Sequence, residues 1–162
     1  MSKMLYVMLL VGGNILGFLL YALYIGADGG LSVDEMAPVI VPLFFIVTLA
    51  HLRFIYRSWS SIRDGRPRMT PGKAVGLLFV PIFNIYWVFH VYGGFATDYN
   101  AYIERKHLSV SPLSRGLLAW NAFLLLVPIP VISWIVETKT VSRVCRAVND
   151  LQASEGAAAA AS

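Results

Sequence analysis

Residues 74–97 read AVGLLFVPIFNIYWVFHVYGGFAT, twenty-four positions without a charged side chain. At 1.5 Å per helical residue, about 20 residues cross a hydrocarbon core roughly 30 Å thick, so the run is long enough to span a bilayer. Inside lipid every backbone amide needs a partner within the chain, which makes such a run helical. Pro81 and Asn84 stand near its centre. The simple reading is one kinked span. A re-entrant hairpin about residues 81–84 follows instead if the loop after the run lies on the same side as the loop before it.

Three further charge-free runs cover 4–27, 36–52 and 116–136. The whole chain of 162 residues is 57% hydrophobic and 14% charged, with mean hydropathy +0.67. Soluble domains carry about 25% charged residues, so composition excludes a disordered chain and argues against an ordinary cytosolic domain. The expected fold is an all-α integral membrane protein. It is a four-transmembrane-helix bundle over residues 1–152, followed by an Ala-rich tail at 153–162. The first run is longer than the apolar core of a signal peptide, about 7–15 residues, and is expected to be retained as a span.

Loop charge sets the orientation. The first loop carries Asp28, Asp34 and Glu35 and no basic residue, whereas 53–73 carries Arg53, Arg57, Arg63, Arg66, Arg68 and Lys73 against Asp64. Arg105, Lys106 and Arg115 fall in the third loop. With the N-terminus inside, ten of the thirteen basic residues lie on the cytoplasmic side. Basic residues favour that side, so both termini are expected in the cytoplasm and loop 98–115 outside. Beyond the second and fourth runs, Ile55, Trp59 and Ile62, and then Val141, Val144, Cys145, Val148 and Leu151, recur at helical spacing. They predict short amphipathic cytoplasmic helical extensions, packed on one another or lying at the head groups.

Within the spans, Asn14, Pro42, Pro81, Asn84 and Pro128 are the midplane polar and kink positions. Proline frees a backbone carbonyl that an asparagine amide can satisfy. The arrangement reads either as a kinked bundle with Asn as interhelical glue or as a midplane binding site on broken helices. Gly13 and Gly17, and again Gly72 and Gly76, have the GxxxG spacing that lets helices approach closely. The six basic residues of 53–73 are candidates for anionic-lipid contact, although orientation alone demands positive charge there. That topology also removes the need for a nucleic-acid partner.

No catalytic set emerges. HExxH and GxSxG are absent, and the lone Cys145 matches no metal or redox pattern. In four-span threading, His51 and His90 lie at opposite depths, too far apart to share a heme, so neither metal nor cofactor is expected. No carboxylate falls within a run, and Asp98, Tyr102 and Arg105 read as a solvated face.

The stretch Thr70-Pro71-Gly72-Lys73-Ala74-Val75-Gly76 through Pro81, Asn84, Tyr86 and Trp87, with Asp98 and Asn100 downstream, resembles a group of small bacterial multi-pass membrane proteins. Their signature is roughly TPGxAVGxxFxPxxN, then YW and DxN, and Arg57-Ser58-Trp59 fits their lead-in. The likeness covers about residues 53–100 and implies a bacterial plasma (inner) membrane protein with several spans. The group is one of unknown function, so the likeness implies no substrate or catalytic residue. The functional expectation is a non-enzymatic accessory or scaffold subunit, partnered by membrane lipids and by other membrane subunits or its own copies. A small transporter or channel near Asn14 and Asn84 is the alternative, and an anionic-lipid sensor through 53–73 a further one.

Overall fold

The computed structural model describes residues 1–26, 33–62, 67–127 and 129–160, so Arg63, Arg66, Pro128 and most of the first loop lie outside the described residues. Every regular element among them is helical. Helix α1 (3–26) opens on the Ser2 cap and carries a π-helical segment at Val7–Gly12. Helix α2 (Val33–Trp59) runs unbroken through Pro38 and Pro42. Two helices, Lys3–Tyr24 and Asp34–Trp59, are long and apolar enough to cross a membrane.

The third run departs from the single span. Thr70 caps α3 (Pro71–Gly76), its hydroxyl accepting from the Lys73 amide at 3.3 Å, and Pro71 occupies the first turn, where a missing N–H costs nothing. A 3₁₀ turn (Leu77–Phe79) tightens the end, and the chain reverses before α4 (Phe83–Arg105). The reversal is a γ-turn: the Phe83 amide donates to the Pro81 carbonyl at 2.6 Å across Ile82, whose φ is 64°. Such a φ is rare and strained for a β-branched residue. The two arms run antiparallel. Trp87 Nε1 donates to the Ala74 carbonyl at 3.3 Å, and Asp98 meets Arg68 twice, at 3.0 Å from Nε and 2.7 Å from the backbone amide. The TPG…P…N…YW stretch is therefore one helical hairpin. Pro81 is its tip, not a mid-helix kink.

The fourth run is also divided. Helix α5 (Arg115–Leu126), capped by Ser114, ends before α6 (Pro130–Ala160) begins. Leu118 and Val144 line one small cavity, and Leu124 and Leu125 share another with Ser133 and Glu137, so these two helices also run back to back. The segment between α4 and α5 is pinned by Asn100, whose amide donates to the Leu113 carbonyl at 2.9 Å and accepts from its N–H at 2.8 Å. Loop 98–115 thus lies at the same end as residues 67–70. Charge counting placed it at the opposite end, and the Arg68–Asp98 contact overturns that. In the Ala-rich tail α6 continues through Ala160, and Tyr102 donates to Glu155.

Both amphipathic stripes enter a single core. Trp59, Ile62, Val144, Val148 and Leu151 are buried with Tyr6, Leu10, Tyr99 and Leu118. Asp98 and Tyr102 are buried too, against the expectation of a solvated face. The other end of the molecule is different. Of the residues whose burial is described within 13–49, 75–87 and 125–136, only Met36 is buried. Phe44, Phe79, Ile82 and Val131 face outward there, Ile82 with 86% of its surface exposed.

Gly13 sits against α2, where an added Cβ would lie 2.3 Å from Val47 Cγ2; at Gly17 the nearest atom, Leu43 Cδ2, is at 3.8 Å. Gly13→Ala should therefore cost about 1–3 kcal/mol by forcing α1 from α2, while Gly17→Ala should be tolerated; unfolding in mixed micelles checks the contrast. A Cβ added at Gly72 or Gly76 would meet no other side chain within 4 Å.

Candidate functional site

The π-helical segment of α1 widens the turn just before Asn14. The Asn14 amide donates to the Leu10 carbonyl at 2.7 Å and reaches Glu137 Oε2 on α6 at 3.4 Å. π-Segments leave backbone groups for side chains to satisfy and often accompany functional sites. Glu137 is 4% exposed. His51 on α2 brings Nε2 to 3.1 Å from its Oε1. Among the described residues no hydrogen bond is directed at Oε1. Three helices thus bring a carboxylate, an imidazole and an amide together. Glu137 follows the 116–136 run by a single residue, which is how the sequence reading missed a buried carboxylate.

The cluster lies between two cavities. On one side is a cleft of about 580 Å³ between the α1–α2 pair and the α3–α4 hairpin. Asn14, Thr48, His51, Asn84 and Tyr92 are its polar side chains, while Leu43, Phe44 and Phe79 are among its apolar walls. Asn14 and Asn84 therefore share a cleft without a hydrogen bond between them. On the other side a cavity of about 200 Å³ lies among α1, α5 and α6, with Asn14 and Glu137 in its wall beside Phe18 and Trp134. Pro42 is exposed on the outer face of α2.

The remaining predicted positions lie elsewhere. Arg53 and Arg57 are exposed along α2, Lys73 is exposed in the first turn of α3, and Arg68 is tied to Asp98. His90 does not approach His51. It is exposed on α4, its Nδ1 3.3 Å from the Tyr86 carbonyl and its ring stacked parallel to Trp87 at 6.0 Å. Among the described residues no three His, Cys, Asp or Glu side chains converge as metal ligands would.

In the packed half, the Tyr99 phenol donates to the Ala147 carbonyl at 3.0 Å. Burial, and then the charge of Asp150, push its pKa up to about 12. The unfolded chain releases this proton near pH 10, the folded chain later. Stability from this group is therefore complete below about pH 10 and is lost as pH rises toward 12. Tyr99→Phe should flatten that alkaline loss, followed as unfolding midpoint against pH. Burial likewise pushes the Cys145 thiol up, as suits a packing residue and not a nucleophile. No known protein family, characterised protein or solved structure matches this chain.

Proposed function

We infer that this chain is a non-enzymatic, multi-pass protein of a bacterial plasma membrane, an accessory or scaffold subunit of a larger membrane assembly. The observation that carries the reading is the division of the molecule into a packed half and an apolar half that buries almost nothing. Exposed apolar surface on this scale marks a membrane or protein interaction site. In this proposal α1 and α2 cross the bilayer, while the α3–α4 and α5–α6 hairpins enter it from one side. That replaces two of the four expected spans with re-entrant hairpins. Every described Lys and Arg then lies toward one face, and Asp34 and Glu35 lie at the other, which agrees with both termini and loop 98–115 in the cytoplasm. The resemblance of residues 53–100 to small bacterial multi-pass proteins points the same way.

Affinity purification of the tagged chain from native membranes in mild detergent tests the subunit role. A defined membrane partner or a homo-oligomer at fixed stoichiometry is expected; a monodisperse monomer with no crosslinked neighbour overturns it. The Asn14–His51–Glu137 cluster beside the large cleft favours a second reading, a small transporter. A cysteine at position 84 that never reacts with a water-soluble reagent from either side would sink it. The lipid-sensor reading draws on the exposed Arg53, Arg57 and Lys73; vesicle binding indifferent to anionic lipid would remove it.

A further inference from the structure

We propose that the smaller cavity, between α1, α5 and α6, is a binding site for the alkylammonium head of an amphipathic molecule, held by Glu137 and the Trp134 ring. This rests on the membrane setting proposed above and on neither the subunit nor the transporter role.

Three observations converge on a cation. First, the Glu137 carboxylate is 4% exposed and its only near charge partner among the described residues is His51, whose ring carries charge only when protonated. A buried carboxylate without a full counter-charge is costly, and a cation entering beside it offsets that cost. Second, Oε1 is sealed beside His51, while among the described residues Oε2 takes only the long 3.4 Å bond from Asn14, so Oε2 has acceptor capacity left for an N–H donor. Third, the wall beside Glu137 is aromatic: Phe18 and Trp134 pack edge to face at 5.5 Å, and both line the cavity with Glu137. A carboxylate next to aromatic rings is the combination that selects an ammonium group over a neutral or anionic one.

The size and setting select the rest of the ligand. About 200 Å³ holds a small head group and little more. Beyond it the surface is apolar, with Val131, Ile132 and Ile135 exposed along α6. An alkyl tail laid on that face stays in an apolar environment while the head reaches Glu137. A zwitterionic lipid with a primary ammonium and a free amphipathic amine share this chemistry.

The test uses the full chain in phosphatidylcholine nanodiscs and measures equilibrium binding of radiolabelled dodecylammonium above that to empty discs. One saturable site is expected, not displaced by dodecanol. Glu137→Gln should weaken it at least tenfold, and Trp134→Leu severalfold. His51→Gln should tighten it, because the internal competitor for Glu137 is gone. Should Glu137→Gln fail to remain monodisperse, Glu137→Asp, with retained but weakened preference for the amine over the alcohol, carries the same test. Displacement by dodecanol as effective as by unlabelled amine, or unchanged binding in Glu137→Gln, overturns the proposal. Replacing the lipid with phosphatidylethanolamine distinguishes the sources: lost dodecylammonium binding assigns the site to the lipid head group, and retained binding assigns it to a free amphiphile.

Discussion

Replacing Trp59 with alanine is expected to cost about 3–5 kcal/mol and to melt the packed half of the molecule. Its side chain is 1% exposed at the end of α2. The ring meets Phe95 edge-on at 5.6 Å, and its Nε1 donates to the Val91 carbonyl at 3.2 Å. That residue ties α2 to α4, and it packs close to Gly94, where an added Cβ would make ordinary contact with the indole at 3.8 Å. Truncation removes the packing, opens a cavity and strips the Val91 carbonyl of its side-chain partner. Near-UV circular dichroism against denaturant should therefore show a much lower midpoint, while far-UV ellipticity falls less because α1 and α2 persist as helices. Trp120, 61% exposed, is the control; Trp120→Ala should stay within about 0.5 kcal/mol of the parent.

The second large effect is all-or-none. A cysteine at position 107, in a chain carrying Cys145→Ala, should react with a membrane-impermeant maleimide from the same side as a cysteine at position 57. Four-span threading puts position 107 across the bilayer, about 30 Å from the basic loop. The structure closes that gap, because Arg68 lies 3.0 Å from Asp98 and Asn100 is doubly bonded to Leu113. A cysteine at position 82 should be inaccessible to the reagent from that side and respond instead to a lipid-soluble quencher. Labelling of position 107 from the opposite side would dismantle both hairpins together, because α5 and α6 follow from where that loop lies.

Helix content, the apolar runs and the two buried stripes were legible in the residues themselves, since hydrophobic length and helical spacing are local properties. The reversal at residues 80–82 was legible only as the alternative to a single span. A half-crossing hairpin and a full span need the same uncharged composition, and the difference lies in one unusual backbone angle at Ile82. A hint stood in loop 98–115, where Arg105, Lys106 and Arg115 oppose the outside assignment. The site was half legible. Asn14 and Asn84 were singled out and do line one cleft, but Glu137 fell just past the end of an apolar run. Its pairing with His51 joins residues on separate helices that no periodicity connects.

The Asn14–Glu137 contact spans 123 positions of the chain. Helix α1 leaves the ribosome before α6, so Asn14 must wait for 123 further residues before its carboxylate partner is made. At about 5–20 residues per second, that interval lasts on the order of ten seconds. In the membrane arrangement proposed above, α1 and α2 already meet the bilayer during it, while the side chains that will complete their inner surfaces do not yet exist. Mutations that weaken the late-made Glu137 contact should then lower the yield of inserted protein before they alter the stability of the finished one.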